Sequence, residues 1–301
     1  MIWLALRAGL ASAQTTMWLC RGICFLLCLS LFSGAVRAAE SKADAHERIL
    51  EIWHKGQYTN ALTAANEAIA AAPKEARLWH LRAQMRAILH DDTNALADLS
   101  AALKLEPDSS FLIRERAVEY FRLGRFTDSV ADFDRLNELL PAIAPQNWQR
   151  GISLYYANRF GEGRKQFELH QTVNPDDVEN AVWHFLCTAR EQGLEAARKQ
   201  LIPIAGDTRV PMKEIHDLFA GKAKPEDVLA AAKANDTSPE GQRYQNFYAH
   251  LYLGLYFEAL GNQSLVREHI LAALPLGSPE DYMTDVARVH AQRLLASAQS
   301  K

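Results

Sequence analysis

Residues 110–143 read SFLIRERAVEYFRLGRFTDSVADFDRLNELLPAI. Gly124 falls near the middle of this stretch and Pro141 near its end. Pro73, Pro107, Pro141 and Pro175 are each 34 residues apart, and a fixed period of that length is the signature of a repeat protein. With proline at position 32, repeats run over 42–75, 76–109, 110–143 and 144–177. Two helices of about a dozen residues cannot bury their apolar faces alone, so each pair must pack on the next. Small residues recur at position 8 (Ala83, Ala117, Gly151) and at position 20 (Ala61, Ala95, Ser129, Gly163), where helix backbones must approach closely. Position 27 is Ala68 and Ala102, then Leu136 and His170. Glycine at position 15 (Gly56, Gly124) permits a left-handed turn between the helices, with His90 and Asn158 in the other two repeats, and the proline ends a helix.

This pattern resembles the tetratricopeptide-repeat family, whose 34-residue helix-turn-helix closes on proline. Trp79 at position 4 and Tyr58, Phe126 and Phe160 at position 17 add to the likeness, with Asp92 departing from it. The fold class expected is all-α, an α-solenoid of helix-turn-helix repeats. One domain is expected over 39–301. After Pro175 the pattern loosens into a degenerate repeat over 178–211, with Gly193 at its turn, and an insert over 205–243 with short helices at Met212–Phe219 and Pro225–Ala234. Setting Gly254 at position 8 makes 247–280 a further repeat, and 281–298 follows as a single amphipathic helix expected to cap the open end of the stack.

The first 38 residues stand apart. Arg21, an apolar run from Ile23 to Phe32, and the small-residue ending Val36-Arg37-Ala38 have the layout of a secretory signal peptide cleaved after Ala38, with Met17 a better start than Met1. The run is about half of what a bilayer-spanning helix needs, so no stable membrane span is expected after its removal. Leu19 before Cys20 and Leu27 before Cys28 disfavour lipidation. Of four cysteines three leave with the signal, so Cys187 has no internal partner, and its apolar surroundings, AVWHFLCTAR, read as an inert buried thiol. Localisation is expected to be the bacterial periplasm or cell envelope. The triplets Asn235-Asp236-Thr237 and Asn262-Gln263-Ser264 bear on glycosylation only in a eukaryotic secretory cell.

A net charge of −3, with 23% charged and 49% hydrophobic residues, gives a sizeable core and no electropositive field for nucleic acid. No phosphate-binding loop, HExxH, GxSxG or paired CxxC occurs, and GEGRKQF lacks the third glycine of a dinucleotide fingerprint at Gln166. The acidic pairs Asp91-Asp92, Asp176-Asp177 and Glu280-Asp281 read as helix caps rather than acid–base dyads. The histidines, His46, His54, His80 and His184 among them, are scattered along the repeats without converging, so no metal and no cofactor is expected.

The resemblance implies a concave groove lined by positions 2, 5, 9 and 12 of each first helix. Carried over, these are His80, Gln84 and Ala87; Phe111, Arg114, Val118 and Phe121; Trp148, Ile152 and Tyr155; and, in the last repeat, Tyr248, Leu251 and Leu255, with Tyr252 at the edge. His46 and Leu50 stand where family members that capture a terminal carboxylate carry lysine and asparagine, which disfavours that mode. The last third, from LFAGKAKPEDVLAAAKAN to NFYAHLYLGLYFEALGN, is similar to the new lipoprotein I group of exported repeat proteins, which hold envelope proteases or cell-wall enzymes. The expectation is a non-enzymatic exported scaffold binding protein or peptide partners. The alternatives are a homo-oligomer whose repeats bind each other and an enzyme using 205–243 as a lid.

Overall fold

A computed structural model of the protein describes residues 45–234 and 238–299, with side chains through 296. The signal peptide, its cleavage site and the Asn235 triplet lie outside the described residues. The described residues divide into two compact units, one within 45–74 and one within 75–299, where one domain is expected from residue 39.

The first unit presents α1 (45–54) and α2 (Tyr58–Ala71), joined through Gly56 at φ +74°. Trp53 and Tyr58 pack across that turn with ring centroids 4.5 Å apart. Ala61, Ala65 and Ile69 of α2 are buried.

The second unit begins with α3 (Ala76–Ile88), α4 (Asp92–Leu105), α5 (Ser110–Arg122) and α6 (Phe126–Leu139). A 3-10 turn over Pro141–Gln146 delays α7 (Trp148–Tyr156), which is followed by α8 (Phe160–Gln171). Next come α9 (Val178–Gln192), the six-residue α10 (Leu194–Lys199), α11 (Met212–Phe219), α12 (Pro225–Ala234), α13 (Pro239–Ala259), α14 (Gln263–Ala273) and α15 (Tyr282–Gln299). The described residues contain no strand. Consecutive helices pair as the 34-residue register requires: α3 with α4, α5 with α6, α7 with α8 and α13 with α14.

The residues that set the register do what their chemistry predicts. Gly124 and Gly261 turn at φ +71° and +75°, and His90 and Asn158 take φ +59° at the equivalent turns despite their side chains. A Cβ on Gly151 would lie 2.6 Å from the Phe167 ring, one on Gly163 2.8 Å from Cys187 Sγ, and one on Gly254 2.7 Å from Ile270. Backbones at positions 8 and 20 therefore approach as closely as the pattern implies. A second periodic feature links each first helix to its partner. Arg82 forks onto Asp98 (2.8 and 2.6 Å) and Arg116 onto Asp132 (2.7 and 2.7 Å), each pair 16 residues apart. In the next repeat Arg150 keeps the place, and Gln166 replaces the carboxylate at 3.2 Å.

Three expectations need correction or sharpening, and a fourth, the inert thiol, agrees with the structure. The helices within 205–243 are not a lid: Met212, Ile215, Leu218, Phe219, Val228 and Ala232 are wholly buried in the core shared with α9 and α13, because α11 and α12 each turn an apolar side inward. Helix α15 does more than close the end of the stack. It packs on α14 and also folds back onto α5 and α7, where Tyr282 stacks on Phe121 (5.2 Å) and the Tyr156 hydroxyl meets His290 Nδ1 at 3.0 Å. Asp177 caps α9 by accepting from Glu179 N, and Asp281 accepts from Met283 N, but Asp91 makes no cap bond because its carboxylate is taken by Asn94 Nδ2 at 2.9 Å. Cys187 is buried, and burial pushes its thiol well up, as an inert side chain requires.

Candidate functional site

The groove residues named from the sequence separate into three groups. Gln84, Arg114 and Phe111 are exposed on α3 and α5, with His80 half-buried edge-on to Phe111 (4.9 Å) and Val118 packed against the core beneath. Phe121, Tyr155, Leu251 and Leu255 are wholly or almost wholly buried, so they are core and not contact surface. Phe121 lies under Tyr282 of α15, and the Tyr155 hydroxyl donates to Glu258 Oε2 of α13 at 2.7 Å, which shows what covers that part of the groove. The third group, Trp148, Ile152 and Tyr248, meets around one recess.

This pocket has a volume of about 230 Å³ and lies between α7, α8, α9, α13 and the start of α15. Its walls are aromatic and apolar: Trp148, Ile152, Phe167, Trp183, Tyr248 and Met283. Phe167 and Trp183 stack at 6.4 Å with 20° between their planes, and Trp148 meets Tyr282 edge-on at 5.3 Å. The 3-10 turn sets the place of Trp148. Pro145 has no N–H to contribute to a helix, so α7 starts late, with Trp148 as its first residue.

The polar side of the pocket is acidic. Asp177, Glu179 and Asp281 line it together with His170, Asn174 and Asn180. Arg209 is the counter-ion for two of them, donating to Glu179 Oε1 (2.7 Å) and Asp177 Oδ1 (2.8 Å), but it is shared with Asp207 (2.7 Å), which does not line the pocket. Glu179 also accepts from the Tyr252 hydroxyl at 2.7 Å. Asp281 accepts from the Tyr248 hydroxyl at 2.9 Å and from Met283 N, and it pairs with no cation among the described residues. Burial, reinforced by the neighbouring Asp177, outweighs Arg209 and Tyr252 and pushes the Glu179 carboxyl up to about 7. Burial and the charges of Glu179 and Asp281 hold the Tyr248 hydroxyl far above the usual phenol range. His170 Nδ1 donates to the Pro145 carbonyl at 2.8 Å, which leaves Nε2 facing Asp177 at 3.9 Å.

Two buried polar atoms of this lining are unsatisfied. Asn180 Nδ2 donates to the Phe167 carbonyl at 3.1 Å, and Asn180 Oδ1 has no partner; Trp183 Nε1 has none either. Both residues are at least 97% buried and sit three apart on α9, on one face of the helix. Buried polar atoms without partners cost stability, and these two fall on the helix face that lines the pocket.

A larger recess of about 530 Å³ lies among Ala87, His90, Arg122, Glu240, Asp285 and Arg288. Its guanidinium groups are already engaged, since Arg122 and Arg288 both bind Asp285 at 2.8 Å. Among the described residues no group of three or more His, Cys, Asp or Glu is arranged to hold a metal ion, and no helix is long and apolar enough to cross a membrane.

Sequence reasoning reached Trp148, Ile152 and Tyr248 but missed Phe167, Trp183, Asn180, Glu179 and Asp281. The signal it passed over was position 6 of the degenerate repeat, where Trp183 stands next to the position-5 stripe.

Solved structures of the same architecture bear on the fold. A tetratricopeptide-repeat protein from Parabacteroides merdae superposes with a TM-score of 0.54, at 14% identity, over 85% of this chain and 99% of that one. The chain has the tetratricopeptide-repeat fold. The crystal structure of MamA is also similar, with a TM-score of 0.50 and 12% identity, over 66% of this tetratricopeptide-repeat chain and 98% of that protein. The Protein SGT1 homolog of Bos taurus is 28% identical over 127 residues, and the chain spans 38% of that protein's length. No protein-family model matches the chain.

Proposed function

We propose that this tetratricopeptide-repeat protein is a non-enzymatic scaffold that holds a protein or peptide partner in the cell envelope, with the α7–α9–α13 pocket as its anchoring point. The observation that carries this reading is the pocket itself, an aromatic wall that includes Trp148, Trp183 and Tyr248 beside the carboxyl groups of Asp177, Glu179 and Asp281. Trp, Tyr and Arg are the usual anchors of protein interfaces, and deep aromatic pockets with a few convergent polar groups are where binding energy concentrates. The leader read over residues 1–38 supports export, and the likeness of the last third to exported adaptors suggests envelope proteases or cell-wall enzymes as partners. A scaffold role also agrees with the burial of Cys187, which raises its thiol pKa and makes it a poor nucleophile.

The test is site-specific photocrosslinking in the native host, with the reactive group at exposed Asn174 on the pocket or at exposed Lys104 on α4. Discrete protein adducts from Asn174 and none from Lys104 are expected. Equal or absent adducts at both positions would remove the pocket from the scaffold reading. Fractionation should find the protein outside the cytoplasm with its mature N-terminus at residue 39; an N-terminus upstream of Ser33 would count against cleavage after Ala38.

A further inference from the structure

Resting on that scaffold reading, we infer that the pocket takes one basic side chain, a lysine or arginine head, presented by an extended segment of the partner protein.

The argument begins with the walls. Trp148, Phe167, Trp183 and Tyr248 line the pocket, and aromatic rings attract a cation most strongly where water is excluded. Phe167, Trp183 and Tyr248 are each at least 96% buried. A purely apolar ligand would satisfy these rings but would strand the acidic side of the pocket.

The charges decide between occupants. Four carboxyl groups (Asp177, Glu179, Asp207 and Asp281) are gathered on or behind the polar side, with Glu179 only partly ionised near neutral pH, and the Arg209 guanidinium is set between Asp177, Glu179 and Asp207. His170 adds at most one further positive charge, at 3.9 Å from Asp177. An anionic or acidic peptide would enter against this excess, whereas a cation would be drawn to it, with Asp281 forming no ion pair among the described residues and Arg243 sharing only the adjoining recess with it. Asn180 and Trp183 of the lining each hold a buried polar atom without a partner, Oδ1, an acceptor suited to a guanidinium or ammonium N–H, and Nε1, a donor suited to a peptide carbonyl, so a basic residue with its backbone could meet them only if the lining shifts to expose them. A free amine offers only the first of these. A peptide offers both, and the volume of about 230 Å³ suits a single side chain rather than a folded element.

The experiment uses the mature chain and capped pentapeptides of glycine with one central residue: lysine, arginine, norleucine, glutamine or glutamate. Trp148 and Trp183 emission reports occupancy, and calorimetry gives the affinity. The lysine or arginine peptide is expected to bind at least about tenfold more tightly than the norleucine peptide, with glutamate weakest. Asp281→Asn removes the charge while Oδ1 can still accept from Met283 N and Nδ2 can donate to the Tyr248 hydroxyl, and it should bring the basic peptide down to the norleucine level. Glu179→Gln serves as the second variant, and circular dichroism of both confirms that they are folded. Equal affinity for norleucine and lysine, preference for glutamate, or no saturable binding of any basic peptide overturns the assignment. A partner crosslinked at Asn174 whose protected segment lacks lysine and arginine also overturns it while leaving the scaffold reading standing. Basic-peptide binding with no crosslinked protein in the host would do the reverse.

Discussion

Arg122 of α5 donates from Nε to Asp285 Oδ2 of α15 at 2.8 Å, across 163 residues of chain. The same guanidinium binds Glu119 one turn back on its own helix, and Asp285 also receives Arg288 at 2.8 Å. The side chains of Glu119 and Asp285 are each 4% exposed, so this network lies in the interior and not on the surface. It fastens the last helix onto the third repeat and thereby covers Phe121. Asp285→Ala would leave Arg122 with Glu119 alone, and breaking a buried pair from one side costs about 3–5 kcal/mol. Urea unfolding should show that loss, and amides of 282–296 should exchange faster as α15 loosens. Arg135, half exposed and paired with the exposed Asp108, is the control: Arg135→Ala should change stability by less than about 1 kcal/mol. Comparable effects at the two sites would mean that the network does not hold α15.

The close approach of α7 and α8 gives a second prediction. Gly163→Ala would put a methyl group 2.8 Å from Cys187 Sγ, with the Gly151 carbonyl 3.4 Å away, leaving no free direction to move. Overpacking of this kind costs about 1–3 kcal/mol. Cys187→Ala removes the sulfur, so the double variant should lose less than the sum of the two single ones, a coupling that denaturation of all four proteins measures. Additivity would show that the backbone simply yields.

The repeats were legible because their signals are local. Proline at every thirty-fourth residue, Gly124 at a turn and Gly151 at a crossing each act within a helix pair, and α11 and α12 appear at the bounds their residues suggest. The Arg82–Asp98 and Arg116–Asp132 pairs, 16 residues apart in successive repeats, are as periodic as the prolines, but in the sequence an arginine or aspartate on a helix looks like any solvated charge until its partner is in place. The return of α15 was not legible. It depends on Arg122 meeting Asp285 and on Tyr156 meeting His290, contacts 163 and 134 residues apart that no periodicity encodes. Part of the expected groove failed for that reason. A family position says which way Phe121 and Tyr155 point, but what lies over them is set by distant chain.

The turns provide a test that touches no packing. His90 and Asn158 hold φ +59°, where a side chain costs about 1–2 kcal/mol and glycine costs nothing beyond its greater unfolded-state freedom, about 0.5–1 kcal/mol. His90→Gly should therefore stabilise the protein by about 0.5–1 kcal/mol in urea. Asn158→Gly should gain less, because asparagine tolerates the left-handed region. Gly124→Ala, at φ +71°, should lose about 1–2 kcal/mol. A loss for His90→Gly would show that its imidazole contributes more than its backbone costs.

Stability should also depend on pH in a way traceable to one carboxyl. Burial pushes Glu119 up to about 7 from its ordinary 4.5; Asp92 and Asp285 add to this, and the charge and hydrogen bond of Arg122 oppose it without cancelling it. Between those values the folded state binds more protons than the unfolded one, so the contribution of Glu119 to stability falls as pH rises through that window. Glu179, raised by burial to about 7, acts in the same sense. Histidines act oppositely: burial depresses His184, His250, His269 and His290 below 6.5, so their share is lost as pH falls through that range. The native pH profile mixes both signs, but the difference between the native protein and Glu119→Gln isolates one group. Glutamine keeps the size and a hydrogen bond to Arg122 but does not titrate. Relative to native, Glu119→Gln should gain stability between pH 5 and pH 8, by on the order of 3 kcal/mol at most, since a tenfold change in proton affinity is worth about 1.4 kcal/mol. Urea midpoints of both proteins at the two pH values measure the change, and a difference that stays constant would mean that the Glu119 carboxyl remains ionised in the fold across the whole range.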